Sequence, residues 1–180
     1  MTHRPAAAAA CAALLATACA APIRTERYQL DPPVEVRKIS VVPVVADPLL
    51  GSLVPTEAPG FVTRQLLGLL KAHGGLQIVE GAGADASLGG QIRRWTQREG
   101  STTGVRRPAS VWLVLELTDR DGRVIWNGVY EETQPPLSEG LLSLSRAWER
   151  GFRWVTAEEL AEYGLRELVD DLAREADSWS

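Results

Sequence analysis

Histidine, cysteine and methionine are nearly missing from this chain of 180 residues, which carries two, two and one of them. His3 stands at the very start, so His73 is the one histidine left to a folded domain. Both cysteines, Cys11 and Cys19, lie in the first twenty residues. A domain with one histidine and no free thiol excludes His/Cys metal sites, Cys-His catalysis and disulfides. There is no Gly-x-Ser-x-Gly elbow to serve a triad built on His73. The glycine-rich run Gly81-Ala82-Gly83-Ala84-Asp85 lacks the Gly-x-Gly-x-x-Gly spacing, no lysine follows it as in a phosphate-binding loop, and it reads as a turn. Glu131 and Glu132 are neighbours on an expected strand and point to opposite faces, a poor arrangement for acid/base work. His73, at the end of an expected helix, suits the terminal carbonyls and the negative end of the dipole. The chain is therefore expected not to be an enzyme, and to hold no cofactor and no metal.

Long apolar runs are also scarce. The longest, Ala6 to Ala18, is broken only by Cys11 and Thr17 and falls short of the roughly 20 residues a membrane-spanning helix needs. His3 and Arg4 precede it, and Leu14-Leu15-Ala16-Thr17-Ala18-Cys19 closes it. That is the layout of a secretory signal peptide. Its end resembles the lipobox of bacterial lipoproteins, with Ala16 where a leucine is usual. The resemblance implies that Cys19 becomes the lipidated first residue of the mature chain; Cys11 is reached too soon. An ordinary cleaved leader and an uncleaved N-terminal anchor are the alternatives. Removing 18 of the 180 residues leaves 162, enough for one domain with a real core. Arg4 leaves with the leader, so the net charge moves from −4 to −5, which argues against a nucleic-acid partner. Ala20 rather than Asp follows the cysteine, which favours the outer membrane. Several acyl chains give stable attachment where one is marginal. Residues 19–35 are expected to form the lipidated cysteine and its tether. The 14 residues Ala20 to Pro33, with Pro22, Pro32 and Pro33, could reach roughly 45 Å and hold the domain off the surface.

Residues 36–180 read as a single domain. Val36 to Val45 is β-branched and reads as a strand whose end is disturbed by Pro43. Pro59 suits the first turn of a helix that runs to His73, with Val62, Leu66, Leu69 and Leu70 on one face and Gly74-Gly75 as its stop. Leu76–Glu80 and Ser87–Arg98 read as strands, with Gly81–Ala86 a turn or short helix between them. Ser110–Thr118 alternates sharply, Asp119-Arg120-Asp121-Gly122 turns, and Arg123–Glu132 returns as a hairpin partner. Thr156 and Glu159 form a capping box, and Val155 can staple against Leu160. Leu160, Gly164, Leu165, Leu168, Val169 and Leu172 make the stripe of the final helix. The order β-α-β-(α)-β-β-β-α gives an α+β fold: a mixed sheet of about five strands with helices packed on it.

Three stretches carry a further resemblance: RKISVVPVV with its helix and LQIVE, then GADASLGGQIRRW, then VWLVLELTDRDGRVIWNGVYEE with its Asp-x-x-Gly-x-Val-x-Trp turn. Together they resemble the group of the TolB N-terminal domain, the penicillin-binding-protein activator LpoB and the curli secretion lipoprotein, over roughly Val36 to Leu172. The resemblance implies an adaptor, an enzyme activator or a secretion pore of the outer membrane. A pore would need extra strands of about 9–11 residues, and the core sheet already uses the hairpin.

Two features offer binding. Arg93, Arg94, Arg98, Arg106 and Arg107 gather around Trp95 and the polar loop Glu99 to Gly104. They suit an anionic surface, or they simply keep a hairpin edge soluble. Leu137 to Trp154 is too long for a plain loop and interleaves Trp148, Phe152 and Trp154 with arginines. It reads either as a lid over the sheet or as a partner-docking surface with at least one of Trp148 and Trp154 partly exposed. The expected function is a lipid-anchored, periplasm-facing adaptor of an envelope complex, held at the outer membrane with an envelope protein as partner. A lipid or lipopolysaccharide transport component is the alternative.

Overall fold

The computed structural model describes residues 23–29, 35–49, 53–100, 105–134 and 154–176. In chain order the strands are β1 (Ile23–Arg27), β2 (Lys38–Val41), β3 (Val45–Ala46), β4 (Gln77–Ile78), β5 (Ala86–Thr96), β6 (Glu99–Gly100), β7 (Val105–Arg107), β8 (Ser110–Asp119) and β9 (Val124–Thr133); the helices are α1 (Ala58–His73) and α2 (Ala157–Ala176). Seven strands form one mixed sheet in the order β1-β9-β8-β5-β2-β4, with β3 also on β5, while β6 and β7 make a separate ribbon. The α+β class stands, with seven strands where about five were expected.

The two added strands have different origins. Val36–Val45 divides at Pro43 into β2 and β3, both parallel to β5. Proline has no N–H to give the ladder. Val42 N still donates to Leu88 O at 2.8 Å, but Val44 N turns away and donates to Thr63 Oγ1 of α1 at 2.9 Å. The pairing then resumes at Val45. The second addition is β1, which lies inside the stretch expected to be tether. Ile23–Arg27 pairs antiparallel with β9 along its whole length, and Arg27 reaches Glu175 of α2 at 3.4 Å. The domain therefore starts thirteen residues before Val36, and the sheet takes up much of the expected 45 Å reach.

The local expectations for both helices hold. Proline sits in the first turn of α1, and Gly74 ends it at φ +74°, a left-handed conformation that glycine adopts without a Cβ penalty. At α2, Thr156 N donates to Glu159 Oε2 (2.9 Å) and Glu159 N to Thr156 Oγ1 (3.3 Å), the reciprocal capping box. The helices pack beside each other, and their stripes share one core with Leu88, Ile92, Leu113, Leu115, Leu117, Trp126 and Tyr130 of the sheet. No helix among the described residues is long and apolar enough to cross a membrane.

The pole of the sheet at the β8–β9 turn is tied by two carboxylates. Asp85 accepts from Lys38 N at 2.9 Å, Arg37 N at 3.1 Å and Arg120 at 2.9 Å. The backbone bonds, led by that from Lys38, hold its pKa below the ordinary 3.8. Burial opposes ionisation of Asp119, yet the bonds from Arg123 N, the Arg123 guanidinium and Asp121 N outweigh it, and its pKa is lowered too. A lowered carboxylate stabilises the fold fully above its unfolded pKa and loses that contribution as pH falls through the folded value. Asp119→Asn is thus expected to melt below the wild type at neutral pH, the gap closing as pH drops below about 4. Thermal melts across that range check it; a gap that stays constant with pH would show that the charge is not what matters.

Candidate functional site

The ladders place one residue from each of five strands in a row: Ile23, Tyr130, Leu113, Ile92 and Ala46. Beyond this row lies the pole opposite the β8–β9 turn. There β5 ends, β8 begins, β9 ends and both helices start. Gln97 fixes α2 at this pole, since its Oε1 accepts from Ala157 N (3.3 Å) and its Nε2 donates to Glu158 (2.5 Å). The described arginines of the sequence cluster, with Trp95 and Trp154, lie around this pole.

A β-bulge organises the arginines. The register of β5 on β8 shifts between Ile92 and Arg94, leaving Arg93 as the extra residue. Consecutive strand residues normally face opposite ways; a bulge suspends that rule. The Arg93 and Arg94 guanidinium carbons consequently both lie over the Trp112 ring, 5.4 and 5.5 Å from its centroid. Their charges are already matched. Arg93 faces Asp47 at 3.7 Å, and Arg94 binds Glu131 at 3.1 Å, with Arg24 of β1 at 3.7 Å from the same carboxylate. Arg107 pairs with Glu99, and Arg98 donates to Trp154 O at 3.1 Å. Four of the five arginines are thus held by local partners, three of them by carboxylates, while Arg106 is exposed on β7.

The same bulge corrects the expectation for Trp95. With the extra residue, Ile92 and Trp95 share the inner face, so Trp95 is buried and packs edge-on against Phe61 of α1 at 6.1 Å. It is a core residue with no surface to offer a partner. Trp154 is likewise buried, at 8 % exposure, which removes it as the exposed docking tryptophan. Its neighbour Val155 donates to Gln134 Oε1 at 2.8 Å, which ties the end of β9 to the entry of α2 at this pole. Trp148, Phe152 and Cys19 lie outside the described residues. His73 Nε2 faces Asp170 Oδ1 of α2 at 3.8 Å, joining the two helices at the opposite pole.

Exposed apolar residues beside the arginines were not foreseen. Leu49 is 92 % and Leu53 70 % exposed, and Val42 and Val45 are about half exposed. Leu49 N donates to Asp47 Oδ1 at 2.8 Å, and Asp47 N to Ile92 O at 2.9 Å, so the leucine is carried on a turn fastened to β5. Fully burying a leucine is worth about 1.5–3 kcal/mol. Two held in water mark a surface that gains from a partner.

No family model matches the chain, and no curated protein matches it by sequence. Among solved structures it is similar to the PelC dodecamer from Paraburkholderia phytofirmans, at 17 % identity and a TM-score of 0.55 over 83 % of this chain and 95 % of that one. A DUF330 protein from Xanthomonas campestris aligns at 13 % identity over 82 % and 91 % of the two chains, with a TM-score of 0.47. Lipoprotein GNA1162 from Neisseria meningitidis aligns at 14 % identity over 63 % and 96 %, with a TM-score of 0.41. At such identities the likeness to PelC is one of fold.

Proposed function

We propose that this chain is a lipid-anchored, non-catalytic accessory protein of a bacterial envelope assembly, facing the periplasm from the outer membrane. The observation that carries the reading is the leader ending at Cys19, four residues ahead of the first strand of the domain. The scarcity of histidine and thiol supports a binding role over a chemical one. The resemblance of three stretches to the TolB, LpoB and curli lipoprotein group supports an adaptor, as does the fold shared with PelC. PelC is a dodecamer, and self-association fits an adaptor that presents several copies of one surface.

Cys19→Ser tests the anchor. Expressed in a Gram-negative host with labelled palmitate, the wild type is expected to carry label and to sediment with outer membranes. The variant is expected to lose the label and to be released into the periplasmic fraction. A variant that keeps both label and membrane association would overturn the reading.

A further inference from the structure

We infer that the Leu49–Leu53 end of the domain is a second membrane contact, seated on the phospholipid surface that carries the Cys19 anchor. The inference rests on the lipoprotein reading of Cys19 and adds to it an orientation and a site.

The first argument is covalent reach. β1 starts at Ile23, so only Ala20, Ala21 and Pro22 separate it from the cysteine. Four residue steps span at most roughly 14 Å. β1 runs from Ile23, opposite Tyr130, to Arg27, opposite Trp126, so the chain before Ile23 leaves toward the pole where β9 ends. An acylated Cys19 therefore keeps that pole against the lipid and turns the β8–β9 turn away from it.

The second argument is the row Ile23, Tyr130, Leu113, Ile92, Ala46. Strands in a sheet are about 4.8 Å apart, so four steps place the anchor-bearing edge and the β3 edge about 19 Å apart at the same height. Leu49, three residues past Ala46, is exposed at the far edge of the same pole, and Leu53 is exposed five residues before α1 starts there. An anchor at one margin and leucines at the other make a two-point contact, which fixes tilt where a single lipid would leave the domain free to swing.

The third argument is charge. Arg93, Arg94 and Arg107 are each paired with a carboxylate of the same pole. Arg98 is bound to the Trp154 carbonyl and Arg106 is exposed on β7, so most of the arginine charge is answered before contact, which is led by the apolar side chains of Leu49 and Leu53. The opposite pole presents Asp121, 76 % exposed, and the ionised pairs at Asp85 and Asp119.

The chain's cysteines make the test clean. Cys11 leaves with the leader and the Cys19 thiol is acylated, so Leu49→Cys, Leu53→Cys and Asp121→Cys each provide a single thiol for a nitroxide label. The full acylated protein is purified from membranes and reconstituted into vesicles of phosphatidylethanolamine and phosphatidylglycerol. Power saturation compares collisions with oxygen, which concentrates in lipid, against a water-soluble nickel chelate. The labels at positions 49 and 53 are expected to favour oxygen and the label at 121 to favour nickel. Nickel-favouring labels at all three positions in an acylated, vesicle-bound chain overturn the inference and leave the anchor standing. A label at 49 shielded from both agents and broadened by a neighbouring spin also overturns it, in favour of a second copy of the chain. A chain that carries no acyl group and does not bind vesicles overturns the inference together with the reading of Cys19.

Discussion

Leu168→Ala is expected to lower the unfolding free energy by about 2–5 kcal/mol, the range for a leucine removed from a close-packed core. Leu168 is fully buried at the middle of the α2 stripe. Its side chain fills a place that the sheet leaves open. Gly128 of β9 has no Cβ, and one built there would come within 2.8 Å of Leu168 Cδ2 and 2.4 Å of the Trp126 ring. The leucine is thus a knob seated over a glycine and bounded by an indole. Truncation to alanine leaves a hole that neither the glycine nor the rigid ring can move in to fill. Urea unfolding followed by tryptophan fluorescence checks the value, since Trp126 lies beside the cavity. A change below about 0.5 kcal/mol, the size of an ordinary surface substitution, would mean that α2 is peripheral to the fold.

How much of this arrangement could be read from sequence depended on where the stabilising partner of each element lies. The hairpin β8–β9 carries its own signal, because Val111, Leu113, Leu115 and Leu117 recur at every second position, β-branched and aromatic residues are frequent, and turn residues separate the strands. The helices do too, through periodic stripes and terminal residues that act within one turn. β1 carries none. IRTER has one apolar residue, follows a proline and holds two arginines and a glutamate. It is a strand because β9 offers it a free edge, and that edge is invisible until the sheet is assembled. Its charges suit an edge strand, where they discourage pairing with foreign chains. Missing β1 made a long tether out of what is part of the domain.

The candidate site shows the same division. The clustering of arginines was visible in the sequence; their pairing was not, since Asp47 reaches them from the turn after β3 and Glu131 from β9. Trp95 was grouped with the arginines that surround it in sequence, and the extra residue at Arg93 that turns it to the inner face with Ile92 leaves no mark in the sequence. Leu49 and Leu53 drew no notice because they lie between the first strand and the first helix, outside any periodic pattern. Only the folded surface distinguishes a leucine held outward on an Asp47 turn from one tucked beneath it.

Gly164→Ala is expected to destabilise the protein by about 2 kcal/mol, against the helix propensity of the two residues. In an exposed helix interior the same change is favourable by about 1 kcal/mol, because glycine has more backbone freedom to lose. Gly164 is buried on the stripe of α2, and a Cβ there would meet Cδ1, Cγ and Cε1 of Tyr130 at 2.3, 2.4 and 2.6 Å. The ring cannot swing aside. Tyr130 is fully buried, its hydroxyl donates to Glu132 Oε2 at 2.6 Å, and the clashing atoms include the base of the ring rather than its tip. Overpacking of this kind costs about 1–3 kcal/mol, and three contacts this short place it at the upper end, so the clash outweighs the gain in propensity. Gly68→Ala in α1 provides the matched control. A Cβ there meets nothing within 4 Å, so only the propensity acts, and this variant is expected to be stabilised by up to about 1 kcal/mol. Denaturant midpoints for the two variants should therefore move in opposite directions. Movement of both toward higher denaturant would mean that α2 rides further from β9 than the Tyr130 contact requires.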